Sequence, residues 1–172
     1  MFSNHRSNVS ATVSPAGWPF AAHTQEPPSI QGSNGSFFFP GQFAARAALV
    51  CLADMAKAIG VPTNPVQLAR QQGVDLSARL GVQDLVNVAE SLGLTALLER
   101  HPPTALAQLE LPVMVFLADG SHGLQLVTQC DGKYVLMHNH ASLVPTHSMV
   151  PLVKLADLWA LGGQGWVLRL QR

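Results

Sequence analysis

Residues 42–55 read QFAARAALVCLADM, and this stretch decides the fold that the rest of the chain must fit. The whole segment 44–59 is rich in alanine, leucine and methionine and contains neither proline nor glycine, and Gly60 then supplies a residue suited to ending a helix. Apolar residues occur nearly all the way round this helix, which is typical of a helix buried in the centre of a protein. We therefore predict a central helix with Cys51 and Leu52 in the core.

Two further helices are predicted before any strand. Asn64 is a suitable N-cap and Pro65 suits a first helical turn, so a short helix is expected over residues 66–71. A third helix is expected over residues 82–92, with Gly93 ending it.

The second half of the chain changes to short β-rich runs. The predicted strands are residues 95–99, 113–117, 123–130, 134–138 and 166–170, and one more short helix falls within residues 149–161. Two Asp-Gly pairs, at 119–120 and 131–132, indicate hairpin turns. Helices followed by a mostly antiparallel sheet indicate the α+β class.

Composition excludes several classes of function. The chain has 172 residues, of which 48% are hydrophobic and 12% charged, and its formal net charge is zero. A neutral chain lacks the basic surface that nucleic acid or anionic lipid requires, so no nucleic-acid partner is expected. The longest apolar run, residues 43–55, is interrupted by Arg46 and Asp54 and falls short of the about 20 apolar residues that a membrane span needs.

The two cysteines and the start of the chain point to a reducing compartment. Cys51 and Cys130 lie far apart on segments predicted to be buried, which favours free thiols in the cytosol over a disulfide. No secretory signal pattern opens the chain. Neither a phosphate-cradling glycine loop nor a paired-cysteine metal motif occurs, so no cofactor is expected in this domain.

A change of composition near residue 41 divides the chain. Residues 1–41 contain much Ser, Asn, Gly and Pro and have no apolar periodicity, which is typical of a flexible tail or linker. The aromatic groups in this segment, at residues 18–20 and 37–39, could pack on the folded part or contact another protein. Residues 42–172 are predicted to form the folded domain.

The first helix and the order of the elements resemble papain-like peptidases, in particular the C39 peptidase domains of bacteriocin exporters and their haemolysin-type relatives. Active members carry Gln-x-x-x-x-Asp-Cys-Gly-x-Ala-Cys-Leu-x-Met on this helix. Cys51, Leu52 and Met55 match the second Cys, the Leu and the Met of that motif. The pair Asn64-Pro65 matches the family's usual start of the second helix.

The resemblance continues to the end of the chain. Gly120, Ser121, His122 and Gly123 resemble the segment that bears the family's catalytic histidine, and the final residues 165–168 resemble the last strand before the first transmembrane helix. The resemblance covers residues 42–172. It implies a papain-like α+β fold in which N-terminal helices pack on a mostly antiparallel sheet.

Departures from the family's motif lie where the chemistry would occur. Ala47 stands at the position of the nucleophile and offers no thiol. Arg46 stands where the family has Asp. Gln42 lies five residues before Ala47, whereas the family's oxyanion-hole glutamine lies six residues before its nucleophile.

The family's catalytic base has a counterpart of the same residue type in this sequence, whereas its orienting group does not. His122 corresponds to the family's catalytic histidine. The family's orienting Asp falls on His138, with Asn139 beside it. Because a triad needs nucleophile, base and orienting group together, the resemblance implies a domain without peptidase activity.

Two alternatives use other residues. In the first, Cys51 is the nucleophile of a Cys-His-Asn set with His122 and Asn139, although it lies one helical turn, about 6 Å along the axis, after Ala47. Such a displacement is too large for acyl transfer. In the second, histidines bind a metal, although no third ligand is assured. The candidate metal ligands are His138, Asn139, His140 and His147.

The resemblance also implies a role. Degenerate domains of this kind precede the transmembrane and nucleotide-binding domains of exporters and hold the unfolded substrate, an RTX-type toxin or adhesin, at the cytosolic face of the bacterial inner membrane. ATP would then bind only in the parent transporter's nucleotide-binding domain. The expected substrate-binding residues are Gly120, Ser121, His122, Gly123, His138 and Asn139. A domain that only packs on its own transporter, and an active peptidase for double-glycine leaders, remain the alternative functions.

Overall fold

The central helix forms because its apolar residues meet the sheet and two neighbouring helices at once. The structure, a computed structural model, describes residues 40–117, 123–159 and 163–172. Within these residues the helices are α1 (Ala45–Ala58), α2 (Pro65–Gln72), α3 (Val82–Ser91) and α4 (Leu152–Trp159), with a 3-10 helix at Pro103–Gln108. The first three agree with the predicted helices to within one or two residues.

The strands form one large sheet and one small ribbon. They are β1 (Phe43–Ala44), β2 (Arg79–Leu80), β3 (Thr95–His101), β4 (Val113–Phe116), β5 (Leu124–Cys130), β6 (Tyr134–Asn139), β7 (Thr146–Pro151) and β8 (Gly165–Gln171). The sheet has the order β3-β8-β4-β5-β6-β7, and each neighbouring pair is antiparallel. The expected α+β fold is confirmed. The sequence prediction missed β7, which forms one outer edge of the sheet.

Two predicted local signals, the N-cap at Asn64 and the turn at Asp131, act as predicted. The Asn64 side-chain oxygen accepts a 2.8 Å hydrogen bond from the backbone N–H of Gln67, which caps α2. Gly73 ends that helix in the left-handed conformation. Asp131, in the second predicted hairpin, accepts hydrogen bonds from the N–H groups of Lys133 and Tyr134 and so shapes the turn between β5 and β6. The first predicted hairpin, at residues 119–120, lies outside the described residues.

Apolar side chains cover both faces of the sheet. Helices α1 to α3 pack on one face, where Leu49, Leu52 and Leu85 are fully buried. On the other face α4 and the 3-10 helix cover a second cluster around Trp159. Gly165 begins β8 directly beneath the Trp159 ring, where a side chain would collide with the indole. The sheet is therefore the middle of three layers.

The two cysteines differ in their surroundings. Both are free thiols. Cys51 is fully buried on α1, as predicted, but Cys130 is only half-buried at the end of β5. The expectation that Cys130 is buried is therefore wrong, because β5 passes beyond the helices that cover its first half.

Among the described residues, no helix is long and apolar enough to cross a membrane.

Candidate functional site

The start of α1 holds the position predicted for a nucleophile. Ala47 is 4% exposed, while Arg46 beside it faces solvent. The helix begins without a side-chain cap and without an acidic residue in its first turn. The backbone carbonyl of Gln42 accepts a 2.7 Å hydrogen bond from the guanidinium of Arg79, which ties the residue before β1 to β2. The methyl group of Ala47 can neither attack a carbonyl nor transfer a proton.

Strand register brings other predicted positions to this end of the sheet. The Phe43 ring, just before α1, lies 5.2 Å from the Phe116 ring at the end of β4. Phe116 is paired with Leu124 at the start of β5, and two residues further along β5 Leu126 is paired with His138. The candidate site is defined here as this end of the sheet, with Ala47, Gly123, His138 and Asn139. The predicted residues Gly120, Ser121 and His122 lie outside the described residues.

Cys51, the alternative nucleophile, is in an unsuitable environment. Its side chain is 0% exposed. Burial in the apolar core, and then the charge of Asp54, raise the pKa of the Cys51 thiol far above its ordinary value. The thiolate is the reactive form of cysteine, so the native fold suppresses the reactivity of Cys51.

His138 already has partners for both of its ring nitrogens. Its Nε2 atom lies 2.7 Å from Thr128 Oγ1, and its Nδ1 atom lies 2.6 Å from His147 Nδ1. An orienting group must accept a hydrogen bond from the N–H of the catalytic base, and both nitrogens of His138 are engaged elsewhere. Asn139 is also engaged, since its side-chain oxygen accepts a hydrogen bond from the backbone N–H of Ala141.

A β-bulge sets the Thr128 contact. Val127 is paired with Met137 and Gln129 with Leu136, so Thr128 is the extra residue on β5. A bulge re-aims the side chain of its extra residue. Thr128 follows Leu126 by two residues, Leu126 is paired with His138, and the Thr128 hydroxyl contacts the His138 ring.

His140 lies beside α1 at the end of β6. Its ring stacks near that of His138 with 6.4 Å between centroids, and its Nε2 atom is 3.9 Å from the Asp54 carboxylate. That Nε2 atom is buried and has no hydrogen-bond partner among the described residues. The histidine cluster is defined as His138, His140 and His147.

Burial controls the protonation of two members of the cluster. Desolvation lowers the pKa of His138, and the neighbouring histidines, His147 first and then His140, lower it further. Desolvation also lowers the pKa of His140, while the carboxylate of Asp54 acts in the opposite direction. Both side chains therefore favour the neutral form.

The metal-binding alternative finds no support in this geometry. Within the described parts of the chain, no group of three or more His, Cys, Asp or Glu side chains is arranged to hold a metal ion. Nitrogens that share a tetrahedral zinc at about 2.0–2.1 Å lie roughly 3.3 Å apart, well beyond the contact between His138 and His147. That contact is a hydrogen bond.

Sequence reasoning missed two partners of His138. His147 was considered only as a metal ligand, because β7 was not recognised as a strand. Nothing in the sequence of β5, LQLVTQC, indicates that a bulge occurs at Thr128 or that Thr128 contacts His138. Strict alternation would have placed Thr128 on the same face as Leu126 and so beside His138, but only a known register makes that inference possible.

Comparisons with known proteins identify the fold. No family model and no curated protein matches the amino-acid sequence. Solved structures do match. A double-glycine motif protease from an AMS/PCAT transporter, in complex with the leader peptide, is 16% identical with a TM-score of 0.55 over 74% of this chain and 85% of that one.

Two other solved structures agree with this result. The peptidase domain of Streptococcus ComA, a bi-functional ABC transporter of a quorum-sensing pathway, is 14% identical with a TM-score of 0.58, covering 79% of this chain and 98% of that one. The N-terminal peptidase C39-like domain of a toxin secretion ATP-binding protein from Vibrio parahaemolyticus is 22% identical with a TM-score of 0.51, covering 73% and 97%. The chain therefore has the fold of C39 peptidase domains of ABC transporters, and the resemblance noted in the sequence is confirmed at the level of the fold.

Proposed function

We propose that this chain is a proteolytically inactive C39-like domain of a type I secretion ABC transporter that binds the unfolded secretion substrate before export. The observation that carries the proposal is Ala47, a buried methyl group at the position that aligns with the family's nucleophile. The domain would lie at the cytoplasmic face of the inner membrane, next to the transmembrane and nucleotide-binding domains of its transporter. It would hold no cofactor itself, and ATP would bind in the nucleotide-binding domain.

The environment of the remaining thiol on α1 supports the loss of catalysis. Cys51 is buried and its pKa is raised, so it is poorly suited to replace the missing nucleophile. His138, which stands at the position of the family's orienting group, instead contacts Thr128 and His147 through its two ring nitrogens.

The binding role is supported by the general chemistry of the fold. One structural neighbour is described in complex with a leader peptide, so a protein with this fold accepts a peptide. Loss of the nucleophile removes cleavage without removing a groove, and an extended chain can bind by strand addition with pockets for alternate side chains. We therefore place the substrate, an RTX-type toxin or adhesin in its unfolded state, at the candidate site and at His122, Gly120 and Ser121.

Peptidase activity is the second candidate function. It is favoured by the names of two structural neighbours, which are a protease and a peptidase domain. Incubation of the folded domain with a double-glycine leader peptide, followed by mass spectrometry, tests it. We expect no cleavage. Cleavage that disappears in the Cys51→Ala variant would overturn the proposal, and the Ala47→Cys variant should restore little activity because Gln42 is one residue out of register.

Binding is tested by titrating the domain with an unfolded RTX polypeptide in the absence of nucleotide. Disordered chains lose conformational entropy on binding, so we expect a Kd of about 1 μM or weaker. Calcium, which folds the RTX partner, should abolish binding. If the folded partner binds equally well, the proposal that the domain binds unfolded substrate is wrong. If no partner binds, the proposal is also wrong, and the domain is a structural module of the transporter.

A matched pair of charge reversals locates the binding surface. Arg46 is exposed at the start of α1, within the candidate site, and Arg70 is exposed at the end of α2, away from it. Arg46→Glu should change the Kd for the unfolded partner at least threefold, whereas Arg70→Glu should leave it unchanged. An effect confined to Arg70→Glu would place binding on the α2 surface instead.

A further inference from the structure

The contact between His138 and His147 tolerates one added proton but not two. With both rings neutral, one Nδ1 atom donates its hydrogen to the other across 2.6 Å. One added proton keeps this bond, since an imidazolium N–H donates to the neutral Nδ1 of its partner. A second proton places an N–H group and a positive charge on both sides of the contact. The hydrogen bond then becomes a repulsion.

This contact joins the outermost strand to the rest of the sheet. His138 lies on β6 and His147 lies directly opposite on β7. Among the described residues β7 pairs with β6 alone, and residues 146–149 of β7 are exposed. At this end of β7, the side-chain contact between His147 and His138 therefore supplements the backbone hydrogen bonds between β6 and β7.

We propose that the His138–His147 pair is a pH-dependent latch, which holds the start of β7 on the sheet while at most one of the two rings carries a proton and releases it when both rings carry one. This inference goes beyond the proposed function and needs no substrate. Release would free the edge of β6 next to the candidate site, at the point where His138 and Asn139 lie.

The groups around the pair favour the neutral, latched form. Thr128 on β5 is uncharged and can either donate to or accept from His138 Nε2, so it adapts to either tautomer. His140, after β6, adds a like charge when protonated. The carboxylate of Asp54 on α1 raises the pKa of His138, but it offsets only part of the lowering by burial and by the two histidines.

The direction of the pH dependence follows from linkage. The folded protein lowers the pKa of His138 from its ordinary value of 6.5, so the latched state binds fewer protons than the released state. The latch therefore stabilises β7 fully above about pH 6.5 and weakens as pH falls toward the lowered pKa. Each proton taken up on release changes the equilibrium by about tenfold per pH unit.

Hydrogen exchange of the intact chain, expressed as protection factors, tests the latch. Between pH 7.5 and pH 5 we expect the amides of β7 to lose about tenfold or more in protection, while those of β4 keep theirs. In the His147→Gln variant the introduced amide oxygen accepts a hydrogen bond from His138 whether His138 is neutral or charged, so the pH step should shrink to the part that burial of His138 causes. His138→Gln should remove it, by removing the titrating group.

The matched control is His101→Gln on β3, the outer strand at the opposite edge of the sheet. It removes one histidine from an edge strand without touching the histidine cluster, and the β7 step should persist unchanged. The latch is overturned if β7 and β4 lose protection in parallel in the wild-type protein. It is also overturned if the β7 step survives in both His147→Gln and His138→Gln proteins whose β4 protection at pH 7.5 matches wild type.

Discussion

The inner and outer parts of the sheet are built from different chemistry. All four residues of β4 are fully buried, because α1 to α3 cover one face and α4 with the 3-10 helix covers the other. On β7 the first four residues are exposed, and His147 contacts His138 on β6. The neighbouring contacts, of His138 with Thr128 and of His140 with Asp54, are also polar. The inner part fixes the fold through apolar burial, which does not depend on pH. The outer part is held by polar contacts, so its stability can respond to protons and to partners.

The largest expected effect contrasts burial in the two parts. Leu52 is fully buried on α1, whereas Met149 on β7 is 69% exposed. Leu52→Ala should lower the free energy of unfolding by about 2–5 kcal/mol, because it removes buried methyl groups and leaves a cavity. Met149→Ala should change it by less than about 0.5 kcal/mol. Urea unfolding at pH 7.5 measures both.

Comparable effects of these two substitutions would contradict the contrast. In particular, a loss above about 1 kcal/mol for Met149→Ala would mean that β7 is covered in solution.

The second expected effect contrasts the two thiols. Cys51 is enclosed by the core, and Cys130 is half-buried at the end of β5. Cys51→Ser places a hydroxyl group among apolar side chains and should cost about 1–3 kcal/mol in the free energy of unfolding. Cys130→Ser should cost less than about 0.5 kcal/mol, because water reaches its site.

Labelling with a thiol reagent provides an independent check on the same contrast. In the native protein Cys130 should react and Cys51 should not, while both should react in denaturant. Native labelling of Cys51 at a rate similar to that of Cys130 would revive Cys51 as a candidate nucleophile and weaken the proposed loss of activity.

The inner part of the molecule could be predicted from sequence because its signals are local. The run over residues 44–59 is apolar nearly all round, and α1 occupies most of it. The strand β4, VMVF, is a short apolar run, which is the pattern of a strand buried on both faces. The strand β5, LQLVTQC, is β-rich and ends at the turn residues 131–132. Asn64 and Gly93 act through their own backbone neighbourhoods, so α2 and α3 could be placed as well.

The outer part could not be predicted in the same way because its structure depends on partners distant in sequence. The sequence of β7, THSMVP, has no sustained alternation and ends in proline, so nothing local indicates a strand. It is a strand because β6 offers it an edge. The bulge at Thr128 and the approach of Asp54 to His140 likewise follow from register and packing. Residues 120–122 lie outside the described part, so the predicted role of His122 stays a prediction.

The smallest expected effect compares the two outer strands. On β3 the carboxylate of Glu99 lies 2.8 Å from Arg169 Nε and 3.1 Å from His101 Nε2. The hydrogen bond from Arg169, and then that from His101, lower the pKa of Glu99 from its ordinary value of 4.5. A lowered carboxylate pKa gives stability that is complete above about pH 4.5 and is lost as pH falls through the lowered pKa. The edge at β3 should therefore keep its protection between pH 7.5 and pH 5, where the edge at β7 loses it.

Because the Glu99 side chain is 38% exposed, solvent screens the pair, and Glu99→Gln should cost only about 0.2–1 kcal/mol at pH 7. Urea unfolding of the variant and of wild type at pH 7 and pH 3 measures this, and the difference should be smaller at pH 3, which lies below the ordinary pKa of 4.5. A difference that is equally large at both pH values would show that the Glu99 contact acts through packing and not through charge.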